Sequence, residues 1–180
     1  MNTLISGGCK NGKSYYAQEL AKDRATAAGV PLYYLATMDP RDEEDRLRIA
    51  RHIEERAGWG FVTIEEPYRI SNCLSVVETK GIFLLDSVTA LLANVMFGKG
   101  RNESAVEEVA EDLLFFAEKT GGTIFVSDFI YGDGVAYDAS TEAYRKGLAQ
   151  LDRMLARVCR EVIEVTYGAK IRHKGEEKND

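Results

Sequence analysis

Eight residues near the start of the chain carry the clearest chemistry. Gly7-Gly8-Cys9-Lys10-Asn11-Gly12-Lys13-Ser14 reads G-x-x-x-x-G-K-S, the spacing of a loop that cradles phosphates. The glycines let the backbone turn tightly and aim several N–H groups at one point. A helix predicted to begin at Lys13 adds its positive end, which holds an anion. Lys13 supplies a mobile positive charge for the outer phosphates, and the Ser14 hydroxyl can take a place on a bound Mg²⁺. Cys9 reads as a small filler of this loop rather than a nucleophile, although oxidation or alkylation there would block it.

Three further places could join that chemistry. Asp86 closes the apolar run Ile82-Phe83-Leu84-Leu85-Asp86. It reads either as a magnesium partner opposite Ser14 or as a strand-end residue capping the next helix. Thr37 ends a second apolar run, where a nucleotide would lie. His52 follows in a charged helical pattern that opens with Pro40 and acidic residues. On a helical wheel Ile49, Ala50, Ile53 and Ala57 share one face, and position 52 falls roughly 115° from its centre. His52 is therefore not a core histidine. It sits among Arg48, Glu55 and Arg56, which suits either a solvated surface imidazole or one that meets phosphates.

The elements that must position these residues follow from apolar runs alternating with amphipathic stretches. Asn2–Ser6, Pro31–Thr37, Gly81–Asp86, Thr123–Asp128 and Val162–Thr166 read as strands, most of them apolar throughout, as strands buried on both faces are. Helices are predicted over 13–28, 88–97, 103–119 and 141–159. Ser104-x-x-Glu107 reads as a capping box, and Tyr144, Leu148, Leu151, Leu155 and Val158 as a core stripe. The alternation predicts an α/β fold, a mostly parallel sheet with helices on both faces. Such sheets bind ligands at the carboxyl ends of their strands. One domain over 1–172 and a polar, frayed tail over 173–180 are expected. Trp59 could stack on a base but reads first as packing. Tyr15, Tyr16 and His173 carry no chemical signal.

The balance of charge narrows the partners. A net charge of −6 argues against a general nucleic-acid surface and against anionic membranes. No apolar run approaches the ~20 residues of a membrane span, and the start lacks the pattern of a signal peptide. Cys9, Cys73 and Cys159 fit neither a zinc spacing nor a disulfide framework, so a reducing cytoplasm is expected.

The chain resembles the adenosylcobinamide kinase / adenosylcobinamide-phosphate guanylyltransferase family of cobalamin nucleotide-loop assembly. The resemblance lies in Gly7–Ser14, Tyr34-x-Ala36-Thr37, the acidic group Asp42-Glu43-Glu44, Arg48-Ile49-x-x-His52, Trp59, Thr63-x-Glu65-Glu66-Pro67, and Leu84-Leu85-Asp86-Ser87-Val88-Thr89 with Asn94 downstream. It implies a P-loop NTPase-type, recombinase-like fold, often a homotrimer, and two reactions. In the first, ATP or GTP phosphorylates the hydroxyl of the aminopropanol arm of adenosylcobinamide. In the second, GTP guanylylates a histidine and GMP passes to adenosylcobinamide phosphate. On this resemblance His52 is the guanylylated residue. Gly7–Ser14, Ala36, Thr37, Ile53, Glu54, Glu55, Arg56, Glu65 and Asp86 match positions that hold GTP.

Two stretches depart from the family. Cys9-Lys10-Asn11 stands where the family has an Arg-Ser pair before Gly-Lys. Asp128-Phe129-Ile130-Tyr131-Gly132-Asp133-Gly134-Val135 replaces an Asn-Glu-Val-Gly stretch and reads as a glycine-hinged active-site loop. That second change bears on acceptor recognition or on one half-reaction. A P-loop small-molecule kinase without the guanylyl step, and a non-catalytic GTP-binding paralogue, therefore stand as rival readings.

Overall fold

The first strand, β1 (Thr3–Gly7), runs into the glycine loop and then α1 (Lys13–Ala28). There follow β2 (Leu32–Ala36), α2 (Glu43–Glu55), β3 (Phe61–Glu65), a 3₁₀ turn at Ile70–Ser75 and β4 (Ile82–Asp86). α3 (Val88–Phe97), α4 (Ala105–Thr120), β5 (Thr123–Asp128), α5 (Ala139–Val158), β6 (Glu161–Thr166) and β7 (Ala169–Lys174) complete the chain. The structure is a computed structural model that describes residues 1–40, 43–98, 100 and 102–175, without the side chains at 44, 45, 48, 51, 52 and 55. The strands form one sheet in the order β3-β2-β4-β5-β1-β6-β7. All neighbours are parallel except the β6–β7 pair. This is the P-loop α/β architecture, with β5 lying between the strand of the glycine loop and the strand that ends in Asp86.

Alternation along the central strands builds two cores. Leu4, Tyr33, Leu35, Phe83, Leu85 and Phe125 face α3, α4, α5 and the 3₁₀ turn, where Phe116 of α4 meets Phe83 edge-on at 5.2 Å between ring centres. Ile5, Tyr34, Leu84, Ile124 and Val126 face the other way, toward Ala17, Ala21 and Ala25 of α1. Each fully buried Leu, Ile or Phe contributes about 2 kcal/mol. Alanines at every fourth position let α1 lie close to the sheet, which fixes its N-terminus against the glycine loop. The buried thiols of Cys73 and Cys159 are pushed by desolvation up to about 11 and about 12, so neither is a reactive group.

Several expectations need correction. β3 and β7 were not predicted; both are edge strands, and their half-polar patterns, Phe61–Glu65 and Ala169–Lys174, hold no continuous apolar run. The domain therefore extends past 172: His173 and Lys174 belong to β7, and His173 Nε2 lies 2.8 Å from Glu164 of β6. Residues 176–180 of the expected tail lie outside the described residues. Ser104 stands at the start of α4, but its side chain makes no capping bond; Asn102 accepts from the Ser104 N–H instead. Val158, the last residue of α5, is 45% exposed; the buried side chain at this end is Cys159, where the backbone has already turned extended.

Candidate functional site

The glycine loop is held by backbone constraints that only its own residues meet. A Cβ at Gly7 would stand 2.2 Å from the Val165 carbonyl oxygen. Gly12 starts α1 with φ at 87°, a left-handed conformation. Asn11 ties the loop to β6: its side-chain amide donates to the Val165 carbonyl, and its oxygen accepts from the Lys13 N–H at 3.3 Å. Gly8, Cys9 and Lys10 are exposed. Lys13 is buried; its ammonium donates to the Gly8 carbonyl at 3.2 Å and forms an ion pair with Asp128.

The opposite wall is built from β2, β4 and the end of α2. The Tyr34 hydroxyl donates to Asp86 Oδ2 at 3.0 Å. Ser87, not Asp86, caps α3, accepting from the Ala90 N–H at 3.2 Å, so the capping role considered for Asp86 is filled by its neighbour. Thr37 is fully buried, and its hydroxyl accepts from the Ser87 N–H and donates to the Ser87 carbonyl, both at 2.8 Å. It therefore positions the Asp86-Ser87 turn. Asn94 of α3 donates to the carbonyls of Thr37 at 2.6 Å and Pro67 at 3.0 Å, joining the ends of β2 and β3. Glu66 accepts from the Tyr68 and Arg69 N–H groups and from Asn72, a structural task.

Arg56 stands out on this wall. It is 6% exposed, and its guanidinium lies 3.6 Å over the Tyr34 ring. Its Nε and Nη1 are buried without a hydrogen-bond partner among the described residues. With Ala36, Ile49, Asp86 and Ser87 it lines a pocket of about 60 Å³. A buried cation with spare donors costs several kcal/mol unless an anion meets it.

The structure corrects the orientation of α2. Ala50, Ile53 and Ala57, assigned to the apolar face, are exposed, and Ile53 is 51% so. The inward residues are Ile49 on α2 and Arg56 in the turn that follows it. The side chains of His52, Arg48 and Glu55, and residues 41 and 42 with Asp42, lie outside the described residues. Glu54 is exposed. Glu65 is exposed at the carboxyl end of β3, beside Ala36 in register. Trp59 packs edge-on against Tyr15 of α1 at 5.6 Å, the packing role expected first.

Sequence reasoning missed two groups. Asp128 was read only as a departure, yet it is the partner of Lys13; register opposite Gly7 puts it there. Arg145 of α5 was placed in no role, yet it straps the 129–137 segment. Its Nε donates to the Ile130 carbonyl at 3.1 Å, Nη1 to the Val135 carbonyl at 3.2 Å and to Glu142 at 2.7 Å, and Nη2 to Asp133 at 2.5 Å. Tyr131 donates to buried Asp152 at 2.9 Å. Burial raises the Asp152 carboxyl above the ordinary carboxylate range. The segment expected to be a glycine-hinged loop is thus stitched to α5.

Ser14 and Asp86 offer a hydroxyl and a carboxylate at the carboxyl ends of β1 and β4. Among the described residues no group of three or more His, Cys, Asp or Glu forms an all-protein metal cage. One or two protein oxygens suit Mg²⁺, which completes its shell with phosphate oxygens and water. A larger cavity, about 830 Å³, lies elsewhere, among Tyr68, Asn94, Asp112 and Phe115. It includes no glycine-loop residue; the groups able to handle phosphate gather around Lys13 and Arg56.

Comparison with known proteins gives the family and the fold. The profile of the cobinamide kinase / cobinamide phosphate guanyltransferase family matches residues 3–173. The bifunctional adenosylcobalamin biosynthesis protein CobP of Pseudomonas aeruginosa is 31% identical over 180 residues, 98% of this chain and 99% of that protein. The bifunctional adenosylcobalamin biosynthesis protein CobU of Escherichia coli is 22% identical over 187 residues, 97% of this chain and all of that protein. Among solved structures, a KaiC-like protein from Pyrococcus horikoshii superposes with a TM-score of 0.53 at 14% identity, over 98% of this chain and 79% of the other. That likeness concerns the fold alone. Among the described residues no helix is long and apolar enough to cross a membrane.

Proposed function

The chain belongs to the cobinamide kinase / cobinamide phosphate guanyltransferase family, and we propose that it carries out both reactions of that name in cobalamin biosynthesis. It phosphorylates adenosylcobinamide with ATP or GTP. It then transfers GMP from GTP to adenosylcobinamide phosphate through a guanylylated His52. The observation that carries the reading is Arg56, a buried guanidinium whose Nε and Nη1 have no partner among the described residues, beside Asp86 and four positions past His52 in the chain. It supplies an anion site away from the glycine loop, as a second phosphate-handling position requires.

In the kinase step the N–H groups of Gly7–Ser14 and Lys13 hold the outer phosphates. Lys13 leaves Asp128 for them and stabilises the charge that spreads over the transferred group. Ser14 and Asp86 would hold Mg²⁺, which when bound supplies positive charge to the phosphate oxygens. In the guanylyl step an imidazole nitrogen of His52 attacks the α-phosphorus of GTP. A P–N bond forms, the bond to pyrophosphate breaks, and pyrophosphate leaves. Arg56 meets the charge on the α-phosphate. An oxygen of adenosylcobinamide phosphate then attacks the same phosphorus, releasing the imidazole. Ala36, Ile53, Glu54, Glu55 and Glu65 complete the nucleotide contacts around this wall, and Thr37 acts through Ser87.

Incubation with α-phosphate-labelled GTP tests the covalent step. Acid-labile, alkali-stable label on the wild type, absent from His52→Ala, is the expected result; equal labelling of both proteins refutes it. We further place the protein in the cytoplasm as a homotrimer. The exposed apolar strip of Leu47, Ala50, Ile53 and Ala57 on α2 supports burial against another copy. Light scattering of the eluted protein should give three times the chain mass, and a monomer mass would exclude the assembly.

A further inference from the structure

The carboxylate of Asp128 grips the glycine-loop lysine, and the reactions above give it no part. We propose that Asp128 takes the proton from the acceptor hydroxyl during phosphoryl transfer, an inference that rests on the kinase half of the function above. Its place in the fold comes first. Asp128 ends β5, the strand between β1 and β4, so it stands between the glycine loop and Asp86 at the ligand-binding edge of the sheet. Its contact comes second. It pairs with the Lys13 ammonium, the group that grips the outer phosphates, so it stands one hydrogen bond from the phosphoryl group being moved. Its anchoring comes third. The Asp128 N–H donates to Thr89 Oγ1 at 2.8 Å and the Phe129 N–H to the Gly7 carbonyl at 2.9 Å, which fixes the backbone on both sides.

The side chain is 26% exposed and so open to an acceptor. A carboxylate beside a triphosphate weakens nucleotide binding through like-charge repulsion. A neutral amide would avoid that cost, but an amide cannot accept the proton. The acceptor oxygen attacks the γ-phosphorus and a new O–P bond forms. The bond from the γ-phosphorus to the β-phosphate oxygen breaks, and the nucleoside diphosphate leaves with that electron pair. The hydroxyl proton passes to Asp128. The titratable groups facing this carboxylate are Lys13 on α1, and Tyr144 and Asp152 on α5. Tyr144, raised chiefly by burial and then by the Asp128 charge, donates to the Thr89 carbonyl and stays neutral.

The test compares Asp128→Asn and Asp128→Glu with the wild type across pH. It measures phosphate transfer to adenosylcobinamide and, in the same preparations, protein labelling from α-labelled GTP, which takes no proton from a hydroxyl. In Asp128→Asn the ratio of transfer to labelling should fall about a hundredfold. The acid limb of the transfer profile should disappear, with the thermal midpoint retained and partial rescue by Asp128→Glu. An unchanged ratio, a surviving acid limb, or an equal fall in both activities would overturn the assignment. A wild type that takes label but phosphorylates no acceptor would instead overturn the kinase reading, and this inference with it.

Discussion

Arg145 and Arg56 are buried to the same degree, at 7% and 6% exposure, and each lies over a tyrosine ring. Their surroundings differ. Arg145 spends its donors on two carbonyls and two carboxylates of its own chain. Arg56 keeps Nε and Nη1 without a partner among the described residues, on the wall of the crevice. Burial alone therefore says little about an arginine's task. What separates a strap from a binding group is whether the fold already answers its hydrogen bonds.

That contrast can be broken by experiment, beginning with the largest effect. Arg145→Ala should cost about 3 kcal/mol of stability in urea unfolding, because the carbonyls of Ile130 and Val135 and the partly exposed carboxylates lose their cation. Its affinity for GTP should stay near wild type. Arg56→Met should do the reverse, with GTP affinity lowered roughly thirtyfold, about 2 kcal/mol, in a calorimetric titration and stability unchanged or slightly higher. If the two variants behave alike, the distinction fails.

A smaller effect sharpens the strap region. The Asp152 carboxyl is raised in the folded chain, chiefly by burial, so the native state holds its proton more tightly than the unfolded state does. Its contribution to stability is then full at pH values below the ordinary carboxylate range and is lost as pH rises through the raised value. Asp152→Asn, which can still accept from Tyr131, should melt higher than wild type near neutrality. The gap should close as pH falls toward 4. A gap that widens in acid would show that the ionised form is the favoured one.

Much of the sheet edge that carries the candidate site was legible in the chain. Leu4-Ile5, Leu84-Leu85 and Phe125-Val126 belong to strands buried on both faces, whose apolar runs stand out, and the glycine spacing announces the loop between β1 and α1. The edge strands β3 and β7 were not, since a strand with one paired side need not be apolar throughout. The inward strip of α2 was misread because amphipathicity locates an apolar face but not what covers it. There Ala50 and Ile53 face outward, while Ile49 and, just past the helix end, the charged Arg56 face the sheet. Asp128 was invisible as a partner for a different reason. It lies 115 positions from Lys13, and only the pairing of β1 with β5 brings the two together.

Asn11 and Gly7 both meet the Val165 carbonyl of β6, one through a hydrogen bond and the other through a fit that admits no side chain. The seat for the triphosphate is in this sense not a property of the first fifteen residues. Its floor is laid by the β6–β7 hairpin, with 154 positions between Asn11 and Val165. A chain cut before β6 would keep the complete glycine motif and lose the surface that shapes it, so the grip on nucleotide belongs to the folded sheet and not to the motif alone.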